Sequence, residues 1–147
     1  MKQTITTLIF ILLAGSLVSC TADASSPEIL VSEAWGRPSP NSADNGAFYM
    51  ELTNQTDTAD ALVGVTTNAC MMVELHDMKM EDGVMKMEPV AGQRIPLPVT
   101  DPVSLAPGGL HVMCIGKQVD FAEGAEIGLT LTFEHAESVE ITATIGE

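Results

Sequence analysis

The chain of 147 residues carries 20 acidic and 6 basic side chains, a formal net charge of −14, so its surface repels phosphate backbones and argues against nucleic-acid binding. Its length allows one domain with a real hydrophobic core. Only 4% of residues are aromatic while nine are methionine, and apart from Met1 every methionine lies between positions 50 and 113.

Met1-Lys2 followed by the almost charge-free stretch 4–18 reads as a secretory signal, too short for a transmembrane helix. The stretch ends Leu17-Val18-Ser19-Cys20, which resembles the lipobox of bacterial lipoproteins, whose cysteine becomes the lipid-modified first residue. The alternative is an ordinary cleavable signal with an incidental cysteine. The expectation is a leader over 1–19, Cys20 as the lipidation site, a flexible tether over 20–27 and one domain over 28–147. Such a protein faces the periplasm and meets the membrane through its lipid anchor only. Thr21 rather than Asp follows Cys20, so the inner-membrane retention signal of enterobacterial lipoproteins is missing.

From residue 28 onward the apolar pattern alternates with period two. Strands are predicted over 29–35, 47–52, 61–65, 71–80, 84–87, 103–105, 110–115, 127–133 and 139–145. Turn signals separate them: Pro38-Ser39-Pro40-Asn41, Asn54-Gln55, Glu81-Asp82-Gly83, Pro107-Gly108-Gly109 and His135-Ala136-Glu137. The pattern predicts an all-β fold, an antiparallel sandwich or barrel of about eight or nine strands, with room for one helical turn near 121–124.

Two segments carry unusual chemistry, Val73–Met87 and Gly108–Cys114. The first predicts a hairpin with its loop at 81–84, in which Met80 faces Met85 and Met78 faces Met87. His76, Met78, Met80, Met85 and Met87 then share one face, with His76 a diagonal neighbour of Met87. His111 and Met113 share a face of the second segment. Thioether sulfur is soft and uncharged, a poor ligand for Zn²⁺, Mg²⁺ or Ca²⁺ and a good one for Cu(I), and imidazole suits copper too. Methionines on one strand face are usually core filler, and Met50, Met71 and Met72 are expected to be that. A core face seldom alternates methionine with lysine and acid across a tight hairpin and adds histidine. His135 is expected in a solvated turn.

The run VELHDMKMEDGVMKMEPV with the later LAPGGLHVM closely resembles the PCuAC family of periplasmic copper chaperones, formerly DUF461. That family's motif is a histidine, ten residues, a methionine, about twenty-one residues, then His-x-Met. Here His76 and Met87 are separated by ten residues, and 23 residues, 88–110, precede His111-Val112-Met113. The Pro-rich run 96–102 is expected to absorb the two extra residues as loop. The resemblance spans about residues 28–146 and implies a cupredoxin-like β-sandwich with an exposed Cu(I) site. It implies His76, Met87, His111 and Met113 as metal ligands, and leaves Met78, Met80 and Met85 as auxiliary donors or packing. It also implies a metallochaperone rather than an enzyme, delivering copper to the CuA subunit of respiratory cytochrome oxidase directly or through a Sco-type thiol protein. Some relatives add a Met/His-rich C-terminal tail; with this chain ending Ile145-Gly146-Glu147, no second site of that kind is expected.

Cys70 and Cys114 remain, an even number in an exported chain. Alternation turns Cys114 away from His111 and Met113. A Cys70–Cys114 disulfide is the favoured reading; two free buried thiols, or a thiol pair that takes copper when reduced, are the alternatives. Two other functions compete with the chaperone: a blue-copper electron carrier, which needs a directly coordinated thiolate, and a copper-independent surface binding module. No nucleophile triad, paired acid–base motif or phosphate loop supports catalysis.

Overall fold

The structure, a computed structural model, describes residues 28–146; the expected leader over 1–19, the expected lipidation site Cys20, the expected tether up to Pro27, and Glu147 lie outside the described residues. Ten strands follow one another: β1 (Ile29–Gly36), β2 (Asn45–Asn54), β3 (Asp60–Thr66), β4 (Cys70–Glu81), β5 (Val84–Pro89), β6 (Ile95–Leu97), β7 (Val103–Leu105), β8 (His111–Lys117), β9 (Glu126–Phe133) and β10 (Val139–Ile145). They form one hydrogen-bonded path, β5-β4-β8-β2-β1-β10-β9-β3-β6, with β7 on the end of β2. The path folds over a single core in which Phe48, Leu52, Leu62, Leu75, Val112, Phe121, Leu131 and Ile145 are fully buried. Each such side chain contributes about 1.5–3 kcal/mol of transfer free energy. Among the described residues no helix is long and apolar enough to cross a membrane.

Three details depart from the sequence expectation. The tenth strand is β6, which overlaps the start of the stretch 96–102 expected as loop; it is an edge strand, where Pro96 costs no ladder bond, and it pairs with Asp60–Leu62 of β3. The sheet is not wholly antiparallel, because β1 runs parallel to β10 through Trp35↔Thr144 and Gly36↔Ile145. No helical turn forms at 121–124, where Phe121 instead bridges to Ser39; among the described residues a short 3-10 turn lies at Ala91–Gln93.

Two local devices aim side chains at the outer face of β2, β8 and β4. The β4–β5 hairpin closes on Asp82-Gly83, both at positive φ (51° and 80°), the conformation of a two-residue type I′ turn. That turn fixes the register Met78↔Met87 and Met80↔Met85. In β1 the pairing slips between Ser32 and Trp35, with Glu33 at φ 51° in the bulge. Continued in the register of Ser32↔Glu51, Trp35 would oppose Phe48 in the core; the bulge shifts it by one, so that Trp35 opposes Tyr49 on the outer face. Gly36 then takes the place beside Phe48, where a Cβ would lie 2.5 Å from Ile145 Cδ1.

Asp60 ties the far end together. Its buried carboxylate accepts backbone N–H bonds from Ala61, Glu134, His135 and Ala136. Burial pushes this carboxyl up, but the bonds from Ala136, Ala61 and His135, together with the nearby His135, outweigh it and hold the pKa below the ordinary aspartate value. His135 is exposed in its turn, as expected.

Candidate metal centre

The pairing of β4 with β8 sets the centre. His76 lies directly opposite His111, with Leu75 opposite Val112 and Glu74 opposite Met113. Because successive side chains alternate faces, Leu75, Val112 and Cys114 enter the core while His76, His111, Glu74 and Met113 stand on the other side. The two imidazole rings meet edge to face with centroids 5.8 Å apart. The row continues across β2 and β1, with Tyr49 6.2 Å from the His111 ring and Trp35 4.5 Å from Tyr49. Arg37 sits over the Tyr49 ring at 6.0 Å.

The hydrogen bonds decide which ring nitrogens are free. In neutral His111, Nδ1–H donates to the Gly109 carbonyl at 2.9 Å, so Nε2 keeps its lone pair. His76 is oriented the other way: its Nε2–H donates to the Glu74 carboxylate at 2.8 Å. Its Nδ1 is left with a lone pair, buried and without a partner. A buried polar nitrogen without a partner costs about 1–3 kcal/mol, and a metal ion is one occupant that would satisfy it. Both histidines carry the outward-oriented bond that metal-ligating imidazoles use to fix tautomer and ring orientation.

An open cavity of about 340 Å³ lies against this face; Tyr49, Met78, Met87, His111 and Met113 line it, and Pro107-Gly108 form part of its rim. Met87, His111 and Met113, three of the four residues singled out as ligands, therefore share one cavity. His76 is buried beside it, reaching it edge-on through His111. Met78, an auxiliary candidate, lines the cavity too, whereas Met80 and Met85 lie farther out along the hairpin. Among the described residues no group of three or more His, Cys, Asp and Glu side chains could hold a metal. Beside His111 the cavity offers the thioethers of Met78, Met87 and Met113, donors that favour a soft ion.

Cys70 and Cys114 form a disulfide on the core side, with Cα atoms 5.5 Å apart. Both are buried, Cys114 completely. Met50 is buried in the core, but Met71 and Met72 are exposed at the start of β4 and are not core filler. The sequence analysis did not pick out Glu74, Tyr49, Trp35 or Arg37. Glu74 was within reach, being two residues from His76 on the same strand face; the aromatic row was not, because it depends on the β1 bulge.

The family model described as LpqE-like, a lipoprotein family, matches residues 29–145. The chain belongs to the LpqE-like family. A relative in Leifsonia xyli subsp. xyli, named as a candidate lipoprotein, is 27% identical over 151 residues, covering 99% of this chain and 89% of its own. Solved structures share the fold, among them these three. The apo PCuAC domain of PmoF1 superposes with a TM-score of 0.68 at 27% identity, covering 81% of this chain and 93% of that one. The copper-bound PCuAC domain of PmoF2 gives 0.66 at 27% identity, covering 80% and 92%. The Cu(I) form of DR1885 from Deinococcus radiodurans gives 0.59 at 28% identity, covering 84% and 81%. The LpqE-like chain thus has the fold of PCuAC domains, and its His–Met cavity lies on the outer face of that sheet.

Proposed function

We propose that this LpqE-like protein is an exported, lipid-anchored Cu(I) chaperone whose cargo is held by His76, Met87, His111 and Met113. The observation that carries the reading is the buried, unpartnered Nδ1 of His76, whose ring meets the free-Nε2 ring of His111 edge to face beside a cavity walled by thioethers. Two neutral imidazoles and two thioethers form an uncharged donor set that suits a soft monovalent ion. The copper-bound state of two structural neighbours supports the same cargo.

Each residue has a distinct part. Glu74 and the Gly109 carbonyl hold the two rings in opposite tautomers, so each can offer a lone pair without rearranging. The rigid β4–β8 ladder fixes the ring separation. Met87 sits on edge strand β5 and is 48% exposed, which leaves one thioether where an incoming donor atom could replace it during release. The electron-carrier alternative needs a thiolate at the metal, and Cys114 is committed to a disulfide on the opposite face. The recipient in this reading is the CuA subunit of a respiratory oxidase or a Sco-type thiol protein, and the copper-free surface-module alternative predicts no metal-linked stabilisation.

The test is a Cu(I) competition titration of wild type beside His111→Ala/Met113→Leu. One tight equivalent in wild type, lost in the double variant with the fold intact, is the expected result. Equal binding by both proteins would remove these residues from the ligand set.

A further inference from the structure

The β4–β5 hairpin is amphipathic, yet its apolar face covers nothing. Asp77, Lys79 and Glu81 on β4 and Lys86 and Glu88 on β5 occupy one face, where Lys86 pairs with Glu81. The other face holds two cross-strand thioether pairs, Met78↔Met87 and Met80↔Met85. An amphipathic strand ordinarily lays its apolar face on a core. Here Met80 is 66% exposed and Met85 43% exposed, and neither belongs to the core or to the shell packed against it. Packing therefore does not account for this pair.

We infer that Met80 and Met85 form a second, outer binding site for a soft monovalent cation, Cu(I) in the cell, continuous with the cavity through Met78 and Met87. Residues directly opposite in an antiparallel pair have Cβ atoms about 4.5–5.5 Å apart, a spacing that two long, flexible thioether side chains can close on one ion. The Asp82-Gly83 turn holds that register, so the pair is preorganised although exposed. The neighbouring pair lies on the same face one step nearer the histidines, and both of its members line the cavity. Four thioethers thus run from the tip of the hairpin to the imidazole pair. Uncharged sulfur does not attract hard cations, whereas the net charge of −14 raises the local concentration of any cation. With only thioethers and solvent as donors, the outer site is weaker than the inner one and exchanges faster. The identity of the ion rests on the chaperone reading; the thioether pair itself rests on the hairpin geometry.

The experiment titrates the purified protein with Ag(I), a redox-inert soft ion, and with Cu(I), following methionine methyl resonances. Wild type should bind two equivalents without a competitor and one in the presence of a strong chelator. The Met80 and Met85 methyls should move only with the second equivalent. Met80→Leu/Met85→Leu should weaken the second equivalent at least tenfold and leave the first within twofold. His111→Ala/Met113→Leu should do the reverse. Saturation of wild type at one equivalent, or a second equivalent that survives in Met80→Leu/Met85→Leu, would overturn the outer site. Loss of the tight equivalent from wild type itself would instead strike the chaperone reading, while the Met80 and Met85 methyls would still report the outer pair. Leucine keeps volume and apolarity at exposed positions, and unchanged resonances elsewhere would show that the fold is retained.

Discussion

Removing the disulfide should cost stability without touching metal binding. The bond joins positions 44 residues apart, and the chain-entropy relation gives about 4 kcal/mol for a loop of that length. Cys70→Ala/Cys114→Ala also deletes two buried sulfurs, Cys114 at 0% exposure and Cys70 at 8%, so the total loss should reach about 4–5 kcal/mol, near the upper end for a native bridge. Urea unfolding of the oxidised wild type, the dithiothreitol-reduced wild type and the double variant separates the contributions. Reduction alone reports the cross-link, and the further drop in the variant reports packing. With a slope of about 1–3 kcal/mol per molar, the reduced protein should unfold at least 1 M earlier in urea. Cu(I) stoichiometry at the inner site should stay at one, because the bridge lies on the core face of β8 and His111 and Met113 on the other. A loss below about 1 kcal/mol on reduction would refute the loop argument. Loss of the tight copper equivalent would refute the assignment of faces.

Met113→Leu should weaken Cu(I) binding at least tenfold while changing apo stability by less than about 1.5 kcal/mol; an unchanged affinity would make Met113 a packing residue. Glu74→Leu removes the acceptor that orients His76 and should lower Cu(I) affinity about 10–100-fold, with Glu74→Gln recovering part of it because an amide oxygen still accepts the Nε2–H bond. ¹⁵N chemical shifts of the apo His76 ring would report the lost tautomer preference, and no change there would remove Glu74 from this role. Asp60 has a depressed pKa in the fold, so its stabilisation is complete above the unfolded value of about 3.9 and is lost as pH falls through the folded value. Asp60→Asn should therefore destabilise the protein at neutral pH and flatten the acid limb of its stability profile; parallel wild-type and variant profiles would contradict this.

Local sequence carried the hairpin because its register needs only an Asp-Gly turn and strict alternation. Met78 opposite Met87 and Met80 opposite Met85 follow from those two facts. The orientation of Cys114 was legible for the same reason, one residue of alternation away from Met113. What could not be read was non-local. That His76 stands directly opposite His111 depends on pairing two strands separated by the whole β5–β7 excursion. The aromatic row depends on a bulge at Glu33, where a polar residue enters positive φ without a glycine to mark it. Strand β6 was hidden by Pro96, which reads as a breaker unless the strand is known to lie at an edge. Met71 and Met72 misled in the opposite direction: their apolar character suggests burial, and only the position of β4 in the sheet leaves them in solvent.

The step from Met113 to Cys114 has a chemical consequence of its own. In the proposed function, two sulfur chemistries that interfere when mixed are separated by a single peptide unit: thioethers that would trade a soft ion, and a disulfide that a passing thiolate could attack. Thiol–disulfide exchange requires a thiolate to reach a sulfur atom, and both bridge sulfurs belong to residues sealed in the interior. A thiol-bearing recipient could thus strip the ion from the open face without opening the covalent bridge that holds the sheet together. The pleat of β8 acts as insulation between ligand exchange and redox exchange, and the thickness of one strand is enough for it.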